Sequence, residues 1–333
     1  MTDAAHADGV THISAVGEPA PLVRMFGWGS LGVLTALMIN NILNVGFGFP
    51  GIGQASAGNV TSMFQIFLYA LAIGGAVFFV MRTPNRALRY EAAKISDFNA
   101  YLIRGCFFAV LFVGLVDASI AFMRVERLLP VLFSDDLSRS LIRAQFVGPY
   151  IHIPLIILGF IVAFFARTLG FVWLALLIVG AELLIVISRF VFSYEQALMG
   201  DLVRYWYAAL FLFSSAYTLL EDGHVRVDVL YAGFTDKKKG RVNAFGSILL
   251  GMTTCWAIIA IGFGSAQAII NSPVVNFEVS QTGTAGMYIK YHMAAFLGIF
   301  AITMLIQFIS YMFEATADAR EEPGHRDHAP VSH

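Results

Sequence analysis

"LGFVWLALLIVGAELLIVISRFV", Leu169 to Val191, decides the class of this chain. Its apolar residues follow one another without the alternation of a barrel strand. The run is also long enough to cross a bilayer, whose hydrocarbon core of about 30 Å takes about 20 helical residues. A helix satisfies its own backbone polar groups in lipid, which a lone strand cannot do. The stretch therefore predicts a membrane-spanning helix, with one acid, Glu182, near its middle.

Working outward, seven more segments share the pattern: Met25 to Phe49, Val60 to Met81, Leu102 to Phe122, Tyr150 to Ala166, Leu202 to Leu220, Val242 to Ile270 and Met287 to Phe313. The whole is read as an all-α integral membrane protein with about eight transmembrane helices. Only "RTLG" (Arg167–Gly170) parts the fourth segment from the fifth, so one long bent helix over 150–191 is the alternative there. Composition agrees. The 333 residues are 58% hydrophobic and 13% charged, where a soluble domain has about 25% charged residues. A net charge of −1 offers no basic face to nucleic acid. The two cysteines, Cys106 and Cys255, lie in apolar segments and read as packing residues.

Residues 1–24 are polar, lack the basic start and short apolar core of a cleavable signal peptide, and read as a disordered tail. Residues 315–333 read alike. With eight spans and both ends cytoplasmic, two thirds of the 21 Lys and Arg fall on the cytoplasmic side, as the positive-inside rule requires. That side includes "LLEDGHVRVDVLYAGFTDKKKGR", Leu219 to Arg241. There Asp222 and Arg226, and His224 and Asp228, stand at i, i+4, which predicts an interfacial helix followed by a basic turn, "TDKKKGR".

Polar groups within the apolar segments are the candidates for chemistry. They are Asn40, Asn41, Asn44, Asp117, Glu182, Arg204, Gln267 and Gln307. Asp117 and Glu182 must be protonated, paired or turned toward protein. Hydrogen bonding between helices is preferred to an ion or proton site, because two acids without buried partners make a poor relay. His152 and His292 lie at similar depth, and two such His can ligate a haem iron from both sides. A place at the membrane interface beside Tyr150, Tyr288 and Tyr291 is the preferred reading. No P-loop, HExxH or CxxC occurs. "GFGFPGIG" (Gly46–Gly53) ends a membrane segment and reads as capping and turn glycines. Gly74, Gly75, Gly246, Gly251, Gly262 and Gly264 read as points where helices approach closely.

From Arg167 to Glu314 the chain resembles the small membrane subunit, the DctQ-type or Q subunit, of tripartite ATP-independent periplasmic (TRAP) transporters. One helix leaves through "ISRFVFSYEQ", carrying Arg189 and Glu195. The next, "GDLVRYWYAALFLFSSAYTLLEDGHVRVDVLY", begins at Asp201, passes Arg204, and leaves through Asp222, His224, Arg226 and Asp228. A basic stretch and two more helices complete a four-helix Q unit over 167–314. Residues 25–166 are an N-terminal extension of about four helices beyond the family's usual four.

The resemblance implies a bacterial inner-membrane protein that is not an enzyme and holds no cofactor or metal. It implies two partners: a large permease subunit carrying the substrate and ion sites, and a periplasmic solute-binding protein that delivers an organic acid or related solute. Membrane lipid surrounds the whole. The chain itself would be a scaffold, with His224, Arg226 and Asp228 clamping a helix exit. A haem-binding anchor of an oxidoreductase and a self-sufficient secondary transporter are the alternatives.

Overall fold

The computed structural model describes residues 14–167, 171–220, 231–280 and 283–324. All its regular elements are helical. α1 (Pro21–Phe47), α2 (Val60–Arg82) and α3 (Leu88–Val125) come first. Three short helices follow: α4 (Leu129–Leu132), α5 (Asp135–Leu141) and α6 (Ala144–Val147). The chain continues with α7 (Ile153–Phe165), α8 (Phe171–Phe192) and α9 (Ala197–Leu220). Last come α10 (Asp236–Gly246), α11 (Thr253–Phe263), the short α12 (Asn271–Val275) and α13 (Lys290–Ala319).

Seven helical stretches among the described residues are long and apolar enough to cross a membrane. They correspond to seven of the eight expected segments. The eighth lies in α9, a regular helix of 24 residues. Tyr, Ser, Thr and one Arg lower its hydropathy, and it can carry them because Tyr205, Trp206, Ala209, Phe213 and Ala216 are buried in protein. Such a helix need not satisfy lipid on every side.

Several boundaries move for physical reasons. α1 starts at Pro21, whose fixed φ suits a first helical turn, so Arg24 lies inside the helix. α1 ends at Gly48, at φ 68°, with a capping N–H to the Leu43 carbonyl; glycine alone adopts that left-handed turn without strain. Gly51 also has a positive φ, 79°, but with ψ 170° it is extended and not a left-handed turn. α3 runs 38 residues, about 57 Å at 1.5 Å per residue and longer than a bilayer is thick. Its start, "LRYEAAKISDFNA", carries Arg89 and Glu91, which are buried and paired.

The helix over 150–165 ends at Phe165, and Ala166 is extended (φ −84°, ψ 116°); α8 starts at Phe171. The two are separate helices, which settles the alternative over 150–191. The basic "DKKKGR" opens α10 and is not a turn. Lys238 and Lys239 donate their backbone N–H to the Thr235 carbonyl at 2.9 Å, and Asp236 in the first turn suits the helix dipole. α13 continues past Phe313 to Ala319, with Ala315 and Ala317 buried.

Two compact units emerge. One gathers the chain up to Asn99, Ala216–Ala260 and the part from Met304 on; the other gathers Ala100–Ser215 and Ile261–Thr303. In the first, α1 packs on α2, where a side chain at Gly32 would meet the Ala72 carbonyl at 3.0 Å. In the second, Gly159 faces the backbone of another helix. A Cβ there would lie 2.5 Å from the Ala109 backbone nitrogen, so α3 and α7 touch backbone to backbone.

Candidate functional site

The second unit holds a buried polar cluster built from four helices and the loop before α13. Asp117 comes from the last third of α3. Its Oδ2 accepts the Tyr288 backbone N–H at 2.6 Å, and its Oδ1 lies 3.3 Å from His152 Nε2. Both side chains are wholly buried. The second contact is an electrostatic approach rather than an aligned hydrogen bond, since neither atom has a hydrogen-bond partner.

His152 closes a π-helical turn, Gly148–His152, that leads into α7. Pro154 just beyond has no N–H to give to the helical ladder, and the wider turn sets the imidazole inward. His152 Nδ1 shares a hydrogen bond with the Tyr291 hydroxyl. Next to it, His292 Nδ1 lies 3.1 Å from the Tyr205 hydroxyl. The second acid, Asp201 near the start of α9, is buried and accepts the Met287 backbone N–H at 3.1 Å.

The two carboxylates thus hold consecutive backbone N–H groups, Met287 and Tyr288, just before α13 begins. Arg124 completes the fixing: it donates to the Gly286 carbonyl at 2.6 Å and lies 4.0 Å over the Tyr288 ring. Chemically, this arrangement secures the entry into α13. The His152 and His292 rings meet edge to face, 5.0 Å between centroids at 84°. No porphyrin plane fits between rings in that contact, which corrects the haem reading. Among the described residues no group of three or more His, Cys, Asp or Glu is disposed to hold a metal ion.

The first unit carries its own polar interior; its Asn40, Asn44 and Gln307 stand among the polar candidates of the sequence, but its charged pairs do not. Arg24 and Glu91 are both buried and form a two-pronged pair, Nη2–Oε1 2.7 Å and Nε–Oε2 2.8 Å. Thr83 accepts from the same guanidinium, and Trp28 Nε1 donates to Glu91 at 3.1 Å. Arg24 precedes the first apolar run in the sequence, and nothing local names a partner 67 positions away. Arg89 pairs with Asp318 at 2.7 Å. Gln307 donates to Ser96 at 3.2 Å and accepts from Asn99 at 3.2 Å. Asn40 donates to the Gln65 carbonyl at 3.2 Å, and Gln65 donates to Asn44. A pocket of about 620 Å³ in this unit is lined by Arg89, Lys239, Asp236, Glu314 and Asp318 among others. Its charges already face one another.

The family-motif residues fall in three places. Arg189, in the last turn of α8, and Glu195, just beyond the helix, stand 3.5 Å apart and well exposed. Asp201 belongs to the buried cluster, and Arg204 approaches it at 3.6 Å from an exposed position. Asp222, His224, Arg226 and Asp228 lie outside the described residues, so the proposed clamp has no structural account here. Gln267 is exposed beyond α11. Among the expected close-approach glycines, Gly251 meets Phe308 and Gly262 meets Ile270, whereas Gly74, Gly75 and Gly246 face open space. Glu182 is exposed in the middle of α8 and, among the described residues, has no hydrogen-bond or ion-pair partner.

With the geometry in hand, comparison with known families gives one result. Residues 178–314 match the family model described as "Tripartite ATP-independent periplasmic transporters, DctQ component". That stretch runs from within α8 to within α13, and over it the resemblance read in the sequence holds. No significant match was found among curated proteins or among solved structures. The buried cluster joins residues inside the match (Asp201, Tyr205, Tyr288, Tyr291, His292) to residues before it (Asp117, Arg124, His152).

Proposed function

We propose that this chain is the small membrane subunit of a TRAP secondary transporter in a bacterial inner membrane, with both ends cytoplasmic. It scaffolds a large permease subunit that carries out ion-coupled uptake of an organic acid or related solute, brought by a periplasmic binding protein. The match of residues 178–314 to the DctQ component carries this reading. The interior supports it: Asp117, Asp201, Arg24 and Glu91 are spent on partners within the chain. A chain with its own ion path places ionisable groups along a cavity instead. The supposed scaffold role suits helices fixed to one another by such bonds.

The test is a pull-down of the tagged chain from mild detergent, with mass spectrometry of its companions. A much larger multi-spanning protein in equal amount is the expected result. A monodisperse chain without companions, active alone in liposomes, would overturn the reading in favour of a self-sufficient carrier.

A further inference from the structure

α8 is the least buried of the candidate spans: 6% of its most apolar window is buried, against 50% in α13. Its inner side is Leu174, Ile178, Ala181, Ile185 and Ser188, all buried or half-buried. On one flank of its outer side lies a second stripe: Ala175, Val179, Glu182, Val186 and Arg189. The spacing is 4-3-4-3, the seam along which a second helix packs at a shallow crossing angle. Small and β-branched residues fill the upper and middle positions, as close approach in a membrane demands. Val179 is 64% exposed and Val186 49%, so nothing among the described residues fills the seam.

Glu182 sits at the centre of that seam. A carboxyl group turned to acyl chains has nothing to bond, whether it is charged or protonated. Lipid is therefore the wrong cover for this flank. A second copy of the chain would bring two acids face to face, which repel in a low dielectric when ionised and offer each other no counter-charge.

We propose that the Ala175–Arg189 flank of α8 is the docking seam for a transmembrane helix of a different chain. That helix offers Glu182 a cationic or N–H-bearing side chain at mid-membrane depth. Glu182 then fixes register, as a lone polar residue does in a coiled-coil seam. The inference rests on the transporter-subunit reading only for the partner's identity, which that reading makes the large permease subunit.

The test uses the full chain in membranes of its native host. A photo-reactive amino acid is placed at Val179 or Val186 on the seam, and at Trp173 or Leu184 on the other flank. The expected adducts from the seam map to one helix of another chain that bears Lys, Arg, His or a side-chain amide opposite Glu182. The other flank gives lipid adducts. Glu182→Leu lowers the seam adducts about tenfold, the size of one interhelical hydrogen bond. Glu182→Gln, which still bonds, keeps most of them. Lipid adducts from the seam, adducts to a second copy, or indifference to Glu182→Leu would each overturn the proposal.

The two readings fail separately. If the large chain co-purifies undiminished with Glu182→Leu, the subunit reading stands and the seam falls. If no large chain co-purifies yet the seam cross-links to another membrane protein in the Glu182-dependent way, the seam stands alone.

Discussion

Asp117 and Glu182 look alike in the sequence: each is a single acid amid an apolar run. In the structure their fates diverge. Asp117 lies wholly buried, with a backbone N–H and an imidazole beside it. Glu182 stands exposed on the least buried helix. An acid inside a membrane must find a partner, and the chain supplies one for the first and none among its described residues for the second. The difference separates a group that holds this fold together from a group that waits for something outside it.

The comparison can be pressed hardest at the pair that most resembles Asp117, Arg24–Glu91. Arg24→Ala leaves Glu91 buried without its counter-charge and is expected to destabilise the chain by about 3–5 kcal/mol, read as a large loss of thermal stability in detergent. Asp117→Ala comes next, at about 1–3 kcal/mol, because the Tyr288 N–H is then buried and unpaired. Asp117→Asn keeps an acceptor and should lose less. If Asp117→Ala melts like the parent, the cluster is not structural and the contrast with Glu182 collapses.

Gly159→Val should cost about 1–3 kcal/mol by overpacking, since the added carbons meet the Ala109 backbone and not a flexible side-chain tip. Glu182→Leu in the isolated chain should change stability by under about 0.5 kcal/mol. Smallest is Tyr194→Phe, within about 0.5 kcal/mol. Tyr194 donates to Glu126 at 2.5 Å, and this bond pushes the phenol above its ordinary range. A raised folded value means the contribution is complete below the ordinary phenol value of about 10. It fades as pH rises through the folded value. Parent and variant should therefore converge in alkaline melts.

What the sequence disclosed is what lipid dictates locally. Continuous apolar runs located seven of the helices, and Gly48 was legible as a cap because only glycine takes that turn readily. Charge counts were less informative. Arg24, Arg89 and Arg124 all lie outside the apolar segments of the sequence, yet all three are turned inward onto partners distant in the chain. The extension of α3 back to Leu88 was hidden for the same reason: its polar residues look like a loop until Glu91, Ser96 and Asn99 meet their partners. α9 was visible as a segment, although its aromatic and hydroxyl residues answer to protein and not to lipid. The pairing of His152 with Tyr291 could not be read from spacing, since 139 positions separate them.

The cluster around Asp117 also bears on how the chain is made. Asp117 leaves the ribosome long before its backbone partner Tyr288, which follows 171 positions later. Met287, the partner of Asp201, and Gly286, the partner of Arg124, belong to the same late stretch. The earlier helices therefore enter the bilayer before the backbone N–H groups that Asp117 and Asp201 accept exist, and the loop before the last helix supplies them. Assembly cannot be completed piecemeal from the front. A ribosome that stalls before residue 286 leaves Asp117 and Asp201 without the backbone N–H groups they accept in the finished chain.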